Sequence, residues 1–117
     1  VQLTLDQIKD FYNSQAYYTP TMPTPKKALN PLFAIEKTTQ EPLLQCLLQL
    51  RRILTIHEGF RLQDVKRYGI TMYRRQVDVQ SKVNALTDSM KVGDPRLAIQ
   101  LPQDVISAGI TPNPRNK

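Results

Sequence analysis

The chain has few of the residue types that build disulfide, metal or nucleotide sites. Its 117 residues include one Cys, one His and no Trp. A single Cys cannot form an internal disulfide or a Cys-based zinc site, and the apolar neighbours of Cys46 indicate a small hydrophobic residue of the core. The four Gly are scattered and form no phosphate-binding loop pattern. We therefore expect no metal site and no cofactor.

Long apolar runs are also absent. No stretch approaches the roughly 20 residues that span a bilayer, and no basic-then-apolar start indicates a signal peptide. The length suggests one domain with one modest core. Glu58 and Asp64 are separated by a predicted helix break, so ion pairing explains them better than general acid–base catalysis. We predict that the chain is not an enzyme.

Positive charge exceeds negative charge by six, but it is spread along the chain. A basic balance can attract nucleic acid, anionic lipid or acidic polymers. Separate basic pairs are more typical of a solvated surface, or of salt bridges with other parts of a longer protein, than of one binding tract. The pairs are Lys26-Lys27, Arg51-Arg52, Lys66-Arg67 and Arg74-Arg75, with Arg115 and Lys117 in the tail.

The first segment predicts a helix followed by a proline-rich loop. Apolar residues recur at helical spacing over residues 3–14, and Thr4 or Asp6 can cap this helix. Residues 15–32 contain too many prolines for a long regular element. Tyr17 and Tyr18 begin this loop and could stack on a sugar ring. The alternative, which we favour, is that their rings anchor the loop to the core.

The central segment predicts a pair of helices. Residues 39–58 form the strongest helical pattern, with Thr38 or Thr39 as its N-cap and Gly59 as a left-handed stop. The apolar face is wide, which predicts burial on more than one side. A second helix is predicted over residues 60–68 and ends at Gly69. On this helix Phe60, Val65 and Tyr68 are predicted to face the core, and Asp64 can pair with Arg61 or Arg67.

The last segment predicts little regular structure. Residues 70–79 are rich in β-branched and aromatic residues and predict extended chain or a short strand. Residues 81–90 are polar and predict a loop or one helical turn. A turn is predicted at residues 92–95 and a short helix over residues 102–107. The tail, residues 111–117, should be extended or disordered.

The predicted helix pair also resembles a DNA-binding helix-turn-helix. Arg61, Gln63, Lys66 and Arg67 would suit a recognition helix. However, the first helix is too long and too apolar for that motif, and Asp64 would sit in the middle of the reading face. A small basic nucleic-acid-binding regulator is therefore the alternative function.

A motif over residues 58–69 resembles a known family. It reads Glu58-Gly59-Phe60-Arg61 and then, two residues later, Asp64-Val65-Lys66-Arg67-Tyr68-Gly69. This is similar to the SusD/RagB pattern E-G-x-R-x-x-D-[LIV]-x-R-[WY]-G, and Arg51-Arg52 matches the family's basic pair. The family's closing segment is similar to Ala98-Ile99-Gln100-Leu101-Pro102-Gln103 and Pro112-Asn113-Pro114-Arg115-Asn116. The chain departs from the pattern at Leu50 and Leu54, where the family usually has Glu.

The resemblance implies a mainly α fold with a helical hairpin-like core and long irregular loops, as the C-terminal portion of a SusD-like fold. It divides the chain into a helix with a proline-rich loop (1–38), a core helix pair (39–69) and an extended, loop-rich segment (70–117). We expect a C-terminal fragment of a longer protein. The motif would be structural rather than a ligand site. Its residues are Arg51, Arg52, Glu58, Gly59, Arg61, Asp64, Arg67 and Gly69.

The resemblance also implies a function. SusD/RagB proteins are nutrient-binding outer-membrane lipoproteins of Bacteroidetes that cap a SusC-like TonB-dependent transporter and capture glycans or peptides. We therefore expect a cell-surface protein that binds a nutrient, most simply a glycan, and does not bind nucleic acid. Its membrane anchor would be an N-terminal lipid outside this sequence. Tyr17 and Tyr18 are the candidate sugar contacts.

Overall fold

A computed structural model describes residues 2–21 and 26–115 of the chain. The described part contains both helices and a two-stranded antiparallel sheet, so the prediction of a mainly α, SusD-like fold is wrong and the chain is a small mixed α/β protein. The elements are α1 (Leu5–Ser14), α2 (Gln40–Leu54), α3 (Arg61–Tyr68), β1 (Met72–Val77), β2 (Val83–Met90), a 3-10 turn (Pro95–Leu97) and α4 (Gln103–Ser107).

Helix α1 is fixed at its start by a capping box. The Thr4 hydroxyl accepts a hydrogen bond from the Gln7 backbone, and the Gln7 side chain accepts one from the Thr4 backbone. This confirms Thr4 as the predicted cap. Further along, the buried Tyr12 donates its hydroxyl hydrogen bond to Gln49 of α2. Helix α1 thereby packs beside α2.

Helix α2 is capped by a glutamate rather than by the predicted threonine. Thr39 makes no side-chain capping bond, whereas the Glu36 carboxylate accepts backbone N–H bonds from Thr38 at 2.9 Å and Gln40 at 3.3 Å. Hydrogen bonds from the hydroxyls and backbones of Thr38 and Thr39 lower the pKa of Glu36 to about 2. An anion is favoured at this position because the helix dipole is positive at its N-terminus.

Helix α2 ends earlier than the sequence predicted. It stops at Leu54, and the Thr55 hydroxyl donates to the Arg51 carbonyl at 2.7 Å. His57 and Gly59 then both adopt positive φ, at 70° and 77°. The predicted left-handed glycine is therefore present, but it lies in a turn after the helix rather than at its end.

Gly69 ends helix α3 as predicted and also admits a neighbouring loop. Its φ is +61°, and its N–H donates to the Val65 carbonyl. The Asn30 N–H donates to the Tyr68 carbonyl at 2.9 Å, which brings the loop against the end of α3. A Cβ atom on Gly69 would lie 2.0 Å from the Asn30 carbonyl oxygen. The position therefore requires glycine for two independent reasons.

The buried core is small and the molecule is extended. Leu48, Val65 and Ile70 form the core cluster, and partly buried residues pack against it, namely Leu29, Tyr68, Met72 and Leu97. The accessible surface is 8790 Å², whereas a compact protein of this mass exposes about 6,500 Å². The radius of gyration is 17.6 Å, against about 13 Å for a compact chain of this length. Much of the surface that a globular domain buries is therefore open.

The sheet is a hairpin whose second strand the sequence analysis missed. Met72 pairs with Met90 and Val77 with Val83, with two irregularities in the register between them. The first strand confirms the extended chain predicted for residues 70–79, but the loop predicted for residues 81–90 is wrong. Half of the residues of β2 are exposed and none is fully buried, and its sequence, VNALTDSM, carries no alternating apolar pattern. Asp78 closes the turn by accepting two backbone N–H bonds.

The C-terminal segment is extended but attached. Helix α4 confirms the predicted short helix, and the chain beyond it returns to the segment before it. The Gln100 side chain accepts from the Asn113 N–H at 3.0 Å and donates to the Asn113 carbonyl at 3.1 Å. Arg115 donates to the carbonyls of Arg96 and Ala98. Residues up to Arg115 are thus extended, as predicted, and held by hydrogen bonds.

Candidate functional site

The motif of residues 58–69 is organised around one ion pair between α2 and α3. Arg51 contacts Asp64 through both side-chain ends, at 3.3 Å from Nε to Oδ2 and 3.2 Å from Nη2 to Oδ1. Asp64 is buried, whereas the Arg51 side chain is 42% exposed. The spacing had suggested Arg61 or Arg67 as the partner, so the structure corrects that assignment. The pair joins the two helices, as a structural role requires.

Glu58 and Arg67, two other charged residues of the motif, do not join this ion pair. Glu58 is exposed and forms no ion pair within residues 2–21 and 26–115. Arg67 lies near two aromatic rings, 5.8 Å from the centroid of Phe33 and 6.0 Å from that of Tyr68. A larger network tying the two helices to the following loop is therefore not observed.

Tyr17 is partly open to solvent. Its hydroxyl donates to the buried Glu41 carboxylate at 3.0 Å, and the Lys26 ammonium lies 4.3 Å from its ring centroid. The ring is nevertheless 46% exposed. Tyr17 therefore anchors the loop to α2, and its ring still presents an aromatic surface on which a sugar could stack.

Tyr18 is half-buried and surrounded by cations. The Lys27 ammonium lies 3.3 Å from its ring centroid, and the Arg75 guanidinium carbon lies at 4.7 Å. The ring of Tyr73 is 5.7 Å away, centroid to centroid. Cations over an aromatic face are attracted by the ring quadrupole. The Tyr18 ring is therefore engaged within the chain and is less open to a sugar than that of Tyr17.

Two further arginines extend this group of cations. Partial burial, then the nearby charges of Arg52 and Arg61, lower the pKa of Lys27 to about 8. Burial and the charge of Arg52 also lower the pKa of Arg61. These like charges therefore repel one another, and Lys27 also shares the Tyr18 ring with Arg75. We call the set of four side chains the cation cluster; it consists of Lys27, Arg52, Arg61 and Arg75.

The basic residues of the cation cluster lie far apart in the sequence. Lys27 comes from the loop before α2, Arg52 and Arg61 from α2 and α3, and Arg75 from β1. No helical or strand periodicity links positions so far apart, so only the tertiary structure reveals the cluster. Lys27 and Arg75 thus converge on one aromatic ring, which the expectation of dispersed charges did not include.

Helix α2 carries a second prominent feature, a row of leucines on its outer side. At 3.6 residues per turn, Leu43, Leu47, Leu50 and Leu54 share one side of the helix. This leucine row is opposite the side with the buried Glu41, Gln45 and Leu48. Leu47 is 49% exposed, Leu50 52% and Leu54 76%. The burial predicted for more than one side of α2 therefore does not extend to the leucine row.

The outer face of α3 is free of Asp64, which the sequence had placed in the middle of a DNA-contacting surface. Asp64 is buried and faces α2, so it does not interrupt the outer face of α3. The outer face instead presents Gln63, Lys66 and Arg67, which are exposed, beside Leu62 at 39% exposure. The polar content of this face keeps nucleic-acid binding as the second candidate function.

The segment of residues 98–103 and the segment that begins at residue 112 contact each other. Besides the bonds between Gln100 and Asn113, the Asn113 side chain donates to the Ile99 carbonyl at 2.6 Å. Asn116 lies outside the described residues. The two segments therefore form one hydrogen-bonded unit.

The described residues contain no group of three or more metal-ligating side chains, and none of their helices is long and apolar enough to cross a membrane. A scan against protein-family models, a search of curated proteins and a search of solved structures each gave no match to this chain.

Proposed function

We propose that this chain functions in nutrient binding at the cell surface, as part of the lipoprotein partner of a TonB-dependent outer-membrane transporter. The observation that carries the proposal is the exposed leucine row on α2. An apolar face of this kind is typical of a surface that packs against another protein. A capping protein needs such a surface as well as a place for its ligand.

The resemblance of residues 58–69 to the SusD/RagB motif supports the same proposal. The Arg51–Asp64 ion pair and the left-handed Gly69 give the motif a structural role, which is the role that the resemblance implies. The half-exposed Tyr17 and the neighbouring Tyr18 remain the proposed contacts for a glycan, because aromatic rings pack against the apolar faces of sugars.

The test is to purify the native protein from its cells in mild detergent and identify its partners by mass spectrometry. We expect it in the outer-membrane fraction with a TonB-dependent transporter. Leu47→Gln combined with Leu50→Gln should reduce the recovered transporter at least fivefold. Val79→Gln is the matched control, because Val79 is fully exposed and lies far from α2 in sequence. Recovery of the protein in the soluble fraction, without a transporter, would overturn the proposal.

Nucleic-acid binding is the second candidate because Asp64 leaves the outer face of α3 free for polar contacts. It predicts binding to duplex DNA that weakens steeply as salt rises. Lys66→Gln should then lower the affinity. It should also reduce the slope of log affinity against log salt concentration by about one. Absence of any duplex binding at 50 mM salt would remove this candidate.

A further inference from the structure

The cation cluster has an imbalance of charge that the described chain does not compensate. Its members come from four elements, and two of them, Lys27 and Arg75, lie over the ring of Tyr18. Asp64 is the carboxylate that acts on Arg61, but both of its oxygens already contact Arg51. None of the four cations forms an ion pair within the described residues, and like charges that repel one another raise the free energy of the fold.

Arg75 adds an unmet hydrogen-bonding requirement. Its Nε donates to the Pro20 carbonyl at 2.8 Å, which fixes the guanidinium beside Tyr18. Its Nη2 is buried and has no hydrogen-bond partner within the described residues. An unpaired buried donor costs about 1–3 kcal/mol, and such groups are rare in folded proteins. The guanidinium of Arg75 therefore keeps one donor that the described chain does not use.

We propose that the cation cluster binds an oxyanion group of the ligand. This group would be a carboxylate or a sulfate. Guanidinium and ammonium groups donate charge-assisted hydrogen bonds to the oxygens of such groups. The identification of the carrier as a sugar rests on the proposed function, whereas the oxyanion site does not. The ligand would then be an acidic glycan, with its charged group at the cluster and a sugar ring near Tyr17.

The test is thermal unfolding of the 117-residue chain at pH 7 and low ionic strength. Sodium sulfate at 10 mM is compared with sodium chloride at the same ionic strength. We expect sulfate to raise the Tm by several degrees. Lys27→Met and Arg52→Gln should each remove at least two thirds of that shift. Lys91→Gln should keep it, because Lys91 is an exposed lysine outside the cluster. Equal shifts in all four proteins would overturn the proposal.

A second readout separates ligand binding from a merely structural role. Without sulfate, Arg52→Gln should raise the Tm, because it removes a like charge next to Lys27 and Arg61. A structural residue would lower the Tm when replaced. A fall in Tm for Arg52→Gln, together with an unchanged sulfate response, would count against the site.

The same assay distinguishes the carriers of the anion. Galacturonate should raise the Tm through the cluster, and neutral galactose should not match it. A response to sulfate but to neither sugar would keep the oxyanion site and weaken the glycan function. A response to both sugars that is equal in wild type and Lys27→Met would keep sugar binding and overturn the oxyanion site.

Discussion

One side of α2 packs against the loop of residues 26–30 and α3, whereas its opposite side carries the leucine row. The packed side holds polar residues that form hydrogen bonds within the chain. The Gln45 amide donates to the Lys27 carbonyl at 2.6 Å, and Glu41 accepts from the Tyr17 hydroxyl. On the open side Leu47, Leu50 and Leu54 are 49%, 52% and 76% exposed. Hydrophobicity therefore does not decide which side of this helix is buried.

The reason is that a buried polar group is stable when its hydrogen bonds are made inside the protein. Gln45 and Glu41 serve as anchors for a loop that has too many prolines to form its own regular hydrogen bonds. Leu48 lies on the same side of α2 as these two residues and belongs to the core cluster. The leucine row would gain free energy only by contact with another surface, which makes it a binding feature rather than a folding feature.

The largest effect that would test this comparison is expected at Gly69, where the loop meets α3. Gly69→Ala should destabilise the fold by about 4 kcal/mol, because it combines an unfavourable φ with a collision against the Asn30 backbone. Urea unfolding followed by circular dichroism measures this. Gly93→Ala is the matched control: its φ is also positive, at 78°, but no atom lies within 4 Å of the added Cβ. It should cost only about 1 kcal/mol. Similar losses in both variants would show that the loop contact contributes nothing.

A pair of leucine substitutions compares the two sides directly. Leu48→Ala should cost about 3 kcal/mol, since Leu48 is 4% exposed and belongs to the core cluster. Leu50→Ala, two residues later on the open side, should change the stability by less than about 0.5 kcal/mol. The midpoints of urea unfolding give both values. A large loss for Leu50→Ala would mean that the leucine row is already covered, for example by a second copy of the chain.

The Arg51–Asp64 pair is expected to give the next smaller effect. Asp64→Ala should cost about 2 kcal/mol, because it removes a bidentate partner from Arg51 and leaves buried space. The loss stays below that of a fully buried pair, since Arg51 can reach water. An unchanged melting temperature would show that the motif does not hold α2 and α3 together. Asp10→Ala, at an exposed position on α1, is the control.

The sequence predicted the features that depend on near neighbours. Thr4 and Gln7 lie three residues apart, and Gly69 follows directly on the helix it ends, so local patterns were sufficient. The Glu36 cap was missed because the two threonines beside α2 are more usual caps. Strand β2 was missed because its apolar and polar residues do not alternate. The cation cluster depends on contacts between distant segments, which no local pattern contains.

The smallest effect concerns Lys27, on the packed side, and depends on pH. Its pKa is lowered to about 8 from the ordinary 10.5. The unfolded chain therefore holds the proton more tightly than the folded chain between these values, and the stability must rise as pH increases through 8. After an allowance of about one half for solvent screening, the gain from pH 7 to pH 9 should be about 0.7 kcal/mol. Urea unfolding at the two pH values measures it, and Lys27→Met should show no such rise.

Because the leucine row has no ionisable side chain, Leu50→Ala should keep the full wild-type rise. Equal rises in wild type and Lys27→Met would show that the proton is released elsewhere, and that partial burial and the charges of Arg52 and Arg61 do not lower the pKa of Lys27.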